Sequence, residues 1–216
     1  MSETILVTGA SAGFGQAICR RLVADGYRVI GSARRIDKLQ ALQEELGETF
    51  YPLQMDVTDL SQVDHALASL PKDWERVDVL VNNAGLALGL APAYEAEVAD
   101  WLTMIQTNIV GLTYLTRKIL PQMVERNDGY IINLGSTAGT VPYPGANVYG
   151  ASKAFVKQFS LNLRADLAGK KIRVSNIEPG LCEGTEFSSI RFKGDEKRVE
   201  ALYRGAHARS EEHTSE

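Results

Sequence analysis

The sequence predicts a single α/β domain, a parallel sheet covered by helices on both faces. Two observations carry that expectation. Short apolar runs rich in β-branched residues alternate with longer stretches of helical periodicity along the whole chain. A glycine-rich turn, TGASAGFG at 8–15, stands where the first such run meets the first helical stretch. The length of 216 residues suits one unit of this class.

The elements follow in order. TILVTG (4–9) reads as the first strand, and Phe14 to Asp25 as a helix with Ala17, Ile18 and Leu22 on one face and Gly26 as its stop. RVIGSA (28–33) is the second strand, followed by a helix from Asp37 to Leu46. FYPLQMD (50–56) is the third, followed by a helix from Leu60 to Leu70, which Asp59 is placed to cap. VDVLVNN (77–83) is the fourth. Two helical stretches come next, Glu95 to Thr107 and Ile109 to Glu125. YIINLGS (130–136) is the fifth strand, Val148 to Leu167 a long helix, and KIRVSNIEP (171–179) the sixth strand. No internal repeat, linker or low-complexity segment interrupts the series.

Composition narrows the function. Apolar residues make up 44% and aromatics 7%, enough for one substantial core. The net charge is −4, the isoelectric point is near 5.5, and no basic block marks a nucleic-acid surface. No apolar run approaches the ~20 residues of a membrane helix. The opening MSETILVTG has no basic segment ahead of an apolar one, so no secretory signal is expected. Two cysteines, Cys19 and Cys182, are too few for a disulfide framework and lack zinc-ligand spacing. They suit a reducing, cytoplasmic setting, with no metal.

The turn at 8–15 is the first chemical signal. Gly9, Gly13 and Gly15 let the backbone bend sharply and approach a ligand closely. The helix beginning there aims N–H groups and its positive end at the turn, which suits a pyrophosphate. The spacing is TGxxxGxG rather than GxGxxG. The plainer reading is a turn that only reverses the chain. At the end of the second strand, GSARR (31–35) has no acid to bond a ribose 2′-hydroxyl; Arg34 and Arg35 stand there instead. Guanidinium groups suit a 2′-phosphate, which favours NADP over NAD. Two solvated arginines opening a helix are the alternative. Asp56 could bond an adenine amino group, with Val57 against the ring. Asn82 and Asn83, in NNAG at 82–85, lie where open parallel sheets bind ligands, or else bridge backbone groups.

The second signal is NVYGASKAFV at 147–156. Tyr149 and Lys153 are four residues apart and share a helix face. A phenol and an ammonium held together make a proton donor and its tuner, or an ordinary surface pair.

Jointly, TGxxxGxG, NNAG, a serine after the fifth strand and YxxxK resemble the short-chain dehydrogenase/reductase family, over nearly the whole chain to about Ala208. NNAGLALG, STAG, NVYGASKAFVKQFSLNLRADL and IEPGLCEGTEFSSIRFKGD resemble a narrower group, the NADP-dependent 3-hydroxy acid dehydrogenases, which also oxidise serine and allo-threonine. The resemblance implies a Rossmann-type doubly wound sheet in three layers, with seven parallel strands, and usually a homotetramer. It implies that Tyr149 is the general acid/base, its pKa lowered by Lys153 and the oxidised nicotinamide. Lys153 would also bond the nicotinamide ribose, Ser136 would hold the substrate oxygen, and Asn108 would anchor a water in a proton relay. Ser11, Phe14 and Asn83 would join the cofactor site. Pro179, Gly180 and Thr185 belong to a loop expected to close over nicotinamide and substrate, with Gly180 and Gly184 as hinges and backbone near Leu181 and Cys182 meeting the carboxamide. Arg191 and Lys193 could hold a substrate carboxylate, or form a solvated helix edge.

The domain is expected to span residues 1–208. The closing RSEEHTSE, 209–216, matches the translation of a common sequencing-adapter read and reads as a non-native tail; a disordered acidic terminus is the alternative. The family's last helix and seventh strand are then absent, leaving the sixth strand as an open edge and the chain less stable and less active than a completed one. Three other functions compete: a general carbonyl or 3-oxoacyl reductase, a non-catalytic NADP-binding sensor, and an epimerase or dehydratase of the extended branch. Ser136, Tyr149 and Lys153 together speak against the sensor, and TGxxxGxG against the last.

Overall fold

In the computed structural model, residues 3–182 and 186–203 are described. The proposed tail at 209–216, Thr185 and the hinge Gly184 lie outside them. Six strands, β1 (Thr4–Thr8), β2 (Arg28–Ala33), β3 (Phe50–Gln54), β4 (Val79–Asn82), β5 (Gly129–Leu134) and β6 (Ile172–Ile177), form one sheet. All neighbours are parallel, in the order β3-β2-β1-β4-β5-β6. The chain works outward from β1 to β3, then crosses back to β4 beside β1. That reversal opens a crevice at the carboxyl ends of β1 and β4.

The sheet is buried on both faces because its strands alternate between two cores. In β1, Ile5 and Val7 pack with Val29, Leu39, Leu42 and Phe50, under α1 (Gly13–Ala24) and α2 (Ile36–Leu46). Leu6, between them, points the other way and packs with Ile30, Leu80 and Ile131. That second core lies under α3 (Leu60–Ala68), α5 (Leu112–Arg126) and α6 (Asn147–Asp166). Successive side chains of a strand face opposite ways, so β1 carries apolar residues at its three central positions and hydrogen-bonded threonines at its ends. All five of its residues are buried.

The predicted elements are present, with ends trimmed by up to three residues. β4 begins at Val79 rather than 77, and Asp78 just before it is buried, its carboxylate accepting from the Thr4 N–H at 2.9 Å. Asp59 caps α3, accepting from the Ser61 and Gln62 N–H groups. The expected break between the two central helices is filled. α4 (Val98–Ile105) runs into a π-helical segment, Gln106–Gly111, and then into α5. Two short helices follow β6, α7 (Glu186–Arg191) and α8 (Glu196–Tyr203), for which the sequence carries no strong periodic signal. Among the described residues β6 pairs with β5 alone. No described helix is long and apolar enough to cross a membrane.

Candidate active site

A cavity of about 790 Å³ runs along the carboxyl ends of all six strands. Its walls include Gly9 after β1, Arg34 and Arg35 after β2, Asp56 after β3, Asn83 after β4, Ser136 after β5 and Pro179 after β6.

One end is built around the glycine turn. α1 opens with no side-chain cap and no acid in its first turn, so its positive end faces the cavity. Gly9 has φ +70°, a backbone region that side chains disfavour. A Cβ at Gly15 would stand 2.2 Å from the Gly9 carbonyl oxygen, so the helix can begin this close to the turn only with glycine there. Gly13, Ser11 and Phe14 also line the cavity. The turn is braced from β4. Thr8 Oγ1 accepts the N–H groups of Asn83 and Ala84 at 3.0 and 2.9 Å, and Asn83 Nδ2 donates to the Thr8 carbonyl at 2.8 Å. Asn83, expected as a cofactor contact, thus commits its amide nitrogen to the protein. Asn82 is structural: its Nδ2 donates to Thr116 and Asn133 inside the core.

The arginine corner lies beside the turn. Arg35 Nη2 donates to Ser11 Oγ at 3.1 Å and to Glu186 Oε2 at 2.8 Å. Asp56 uses one carboxylate oxygen to accept from the Thr58 N–H and hydroxyl, at 2.9 and 2.8 Å. That oxygen closes the 56–58 turn, and Asp56 also lines the cavity. Val57 packs against the π-helical segment, where a Cβ on Gly111 would meet its carbonyl oxygen at 2.7 Å and its side chain at 3.0 Å.

The other end is built on α6. Tyr149 and Lys153, one helical turn apart, are only 8% and 6% exposed. Lys153 Nζ donates to the Leu134 carbonyl at 2.7 Å. Burial pulls its pKa down from 10.5 to about 8. The expected lowering at Tyr149 rests on Lys153 together with the oxidised nicotinamide; the protein's own surroundings push the other way. Burial raises the phenol above its ordinary value, and the hydrogen bond with Ser136 and the nearby Arg191 charge only partly offset it. Lys153 Nζ, bonded to Leu134, lies 6.0 Å from the centre of the Tyr149 ring. Ser136 Oγ accepts the Ala138 N–H at 3.2 Å, which fixes the hydroxyl at the head of a short 3₁₀ turn.

Asn108 lies in the π-helical segment and is 1% exposed. Its Oδ1 accepts the Leu86 N–H at 2.9 Å, while Nδ2 donates to the Leu86 carbonyl at 2.9 Å and to Ser152 Oγ at 3.0 Å. The side chain therefore clamps the loop after β4 to α6. On the far side, the Pro179 carbonyl accepts the Thr137 N–H at 3.1 Å, tying the loop after β6 to β5. A Cβ on Gly180 would touch nothing within 4 Å.

Arg191 and Lys193 part company. Lys193 is exposed at the rim of the cavity and pairs with Asp100 at 2.9 Å. Arg191 is 6% exposed, so it is no solvated edge. Its guanidinium carbon lies 5.6 Å from the centre of the Tyr149 ring. Nε donates to the Gly89 carbonyl at 3.1 Å and Nη2 to Tyr143 Oη at 3.0 Å.

Several contributors have no sequence motif. Phe187 packs its ring 5.8 Å from that of Tyr149. Asn147, at φ +21°, opens α6 by accepting from Trp101 Nε1 at 3.0 Å and donating to the Ala91 carbonyl at 3.1 Å. Tyr203 Oη donates to the Cys182 carbonyl at 2.7 Å and contacts Ser188 Oγ at 2.6 Å, fastening α8 over the cavity.

Residues 3–195 match the family model described as short chain dehydrogenase. An "NADP-dependent 3-hydroxy acid dehydrogenase YdfG" from Escherichia coli (strain K12) is 57% identical over 212 residues, 98% of this chain and 86% of its own length. A "Serine 3-dehydrogenase" from Agrobacterium fabrum is 51% identical over 205 residues, 95% of this chain and 82% of its own. A solved structure described as the closed form of serine dehydrogenase complexed with NADP+ superposes with a TM-score of 0.96 at 57% identity. That match covers 98% of this chain and 86% of the other.

Proposed function

The chain belongs to the short chain dehydrogenase family, and we propose that it moves a hydride between NADP and the hydroxyl-bearing carbon of short 3-hydroxy acids. Serine, allo-threonine and 3-hydroxypropionate are the substrates this reading names, with reduction of malonic semialdehyde-like carbonyls in reverse.

The cofactor fits the residues present. Gly9, Gly13 and Gly15 leave room for a pyrophosphate at the uncapped end of α1. Arg34 and Arg35 suit the 2′-phosphate, with Ser11 beside them. When bound, NADP takes or gives the hydride and, in its oxidised form, brings positive charge to the nicotinamide end.

The chain's own groups handle the proton and the substrate. Tyr149 Oη takes the proton of the substrate hydroxyl in oxidation and returns it in reduction. Ser136 donates a hydrogen bond to the same oxygen as its charge develops. Lys153 supplies a buried ammonium next to the phenol, held at Leu134 until the nicotinamide ribose offers a partner. Asn108 holds the backbone through which a relay from Lys153 would reach solvent. Phe187 and Leu86 help keep water from the reacting atoms.

The observation that carries the acid substrate is Arg191. Its buried guanidinium beside the Tyr149 ring can meet a carboxylate two carbons from the reacting hydroxyl. A panel tests it: NADP reduction by serine, allo-threonine and 3-hydroxypropionate against their carboxyl-free alcohols, each at matched concentration. Preference for the acids supports the reading. Turnover of uncharged carbonyls with none of the acids would point instead to a general carbonyl reductase.

A homo-oligomer, a tetramer by the family's habit, is part of the same reading. Leu102 on α4 and Phe155 and Leu161 on α6 are exposed and apolar, which supports contact through these helices. Light scattering in solution tests it.

A further inference from the structure

The end of β2 has no acid for a ribose 2′-hydroxyl, yet an acid stands at that corner. Glu186 reaches it from α7, 151 residues further along the chain. Its carboxylate takes the guanidinium of Arg35 with both oxygens: Oε2 accepts from Nη2 at 2.8 Å and Oε1 from Nη1 at 3.4 Å. Arg35 Nη2 also donates to Ser11 Oγ, at the glycine turn. Glu186 thus covers the two-pronged edge that a guanidinium presents to phosphate. The pair is nearly half exposed, 44% and 49%, so its own strength is small. A phosphate monoester carries about two negative charges near neutral pH and has three acceptor oxygens. It outbids a single carboxylate for Arg35 and repels that carboxylate once bound.

We propose that Glu186 is a specificity-determining residue, a placeholder that the 2′-phosphate of NADP must displace from Arg35 and that NAD, lacking the phosphate, leaves in position. This rests on the NADP reading above. The displacement bears on the substrate end as well. The same six-residue helix carries Phe187, packed on Tyr149, and Arg191, beside it. Release of Glu186 frees the first residue of the helix that shapes the substrate pocket.

The test is a fluorescence titration of NADPH and NADH against the wild-type protein, Glu186→Gln, Arg35→Gln and the double variant. Removing the competing charge should tighten NADPH about two- to fivefold, the range of an exposed ion pair, and leave NADH unchanged. In the Arg35→Gln background the Glu186→Gln change should have no effect, because the two act through one contact. Melting curves of the four proteins report whether each is folded. An equal shift for both nucleotides, a weaker NADPH complex, or an effect that persists without Arg35 overturns the placeholder. Wild-type preference for NADPH with an unresponsive Glu186→Gln overturns the placeholder alone. Equal wild-type affinity for NADPH and NADH overturns the NADP reading with it.

Discussion

The ammonium nitrogen of Lys153 stands 6.0 Å from the centre of the Tyr149 ring. The two residues share a helix face, yet the lysine's hydrogen bond runs to the Leu134 carbonyl and the phenol's to Ser136. Each is buried, so each is held away from its charged form. Tyr149→Phe keeps the ring packed on Phe187 and removes only the exchangeable proton. We expect turnover to fall about 10²- to 10⁴-fold, with NADPH affinity nearly unchanged, measured by steady-state kinetics and titration side by side.

Lys153→Met should remove activity and raise stability. The folded-state pKa of Lys153 is depressed to about 8 from 10.5 by burial. The unfolded chain therefore binds the proton more tightly, and burying the ammonium costs stability at every pH below about 8. Each pKa unit is worth about 1.4 kcal/mol, so the drop from 10.5 to about 8 outweighs the roughly 1.5–3 kcal/mol of the charge-assisted hydrogen bond lost at Leu134. The variant should melt higher than wild type at pH 7. Its advantage should shrink as the pH rises from about 8 toward 10.5, where the wild-type lysine is neutral in both states. A lower Tm at pH 7 would reverse the argument.

Arg34→Ala tests the arginine corner apart from Glu186. Charge-assisted hydrogen bonds are worth about 1.5–3 kcal/mol, so NADPH should bind roughly tenfold or more weakly while NADH is unaffected. The difference should narrow at high ionic strength, since this end of the cavity is open and screened.

Arg191→Ala should raise KM for serine by about tenfold or more, on the same charge-assisted scale, and leave the oxidation of an uncharged alcohol far less affected. Arg191 also bonds Gly89 and Tyr143, so some loss from loosening is expected for both substrates. Kinetics on the pair of substrates separates the two effects. An unchanged KM for serine would remove Arg191 from the carboxylate site.

Thr8→Val keeps the shape and removes the hydroxyl. Thr8 is 2% exposed, and its oxygen accepts two N–H groups of the β4 turn and donates to the Val81 carbonyl. Leaving those groups unpaired should cost about 1–3 kcal/mol, read as a lower denaturation midpoint with an unchanged slope.

Much of this could be read along the chain. The strands were legible because a sheet buried on both faces favours short runs rich in apolar residues, and β2 falls at 28–33 as read. The glycine turn was legible because TGxxxGxG reports backbone that only glycine tolerates there. The π-helical segment was not, since Asn108 and its neighbours look like an ordinary helix junction until Leu86 and Ser152 are seen around that side chain. α7 and α8 were missed because short helices have too few turns for a periodic pattern to emerge.

The sequence by itself determined the order of the elements, the parallel sheet, the glycine turn and the presence of Ser136, Tyr149 and Lys153 in motifs that are local in the chain. Tertiary structure alone decided what those side chains meet. Arg191 and Lys193 sit two residues apart, yet one is buried beside Tyr149 and the other paired with Asp100 at the surface. Arg35 faces a glutamate 151 residues away. The reason is physical: backbone conformation and strand burial are set by neighbouring residues, whereas a charged side chain's partner and its solvation depend on which distant segments the packed sheet brings to the same edge.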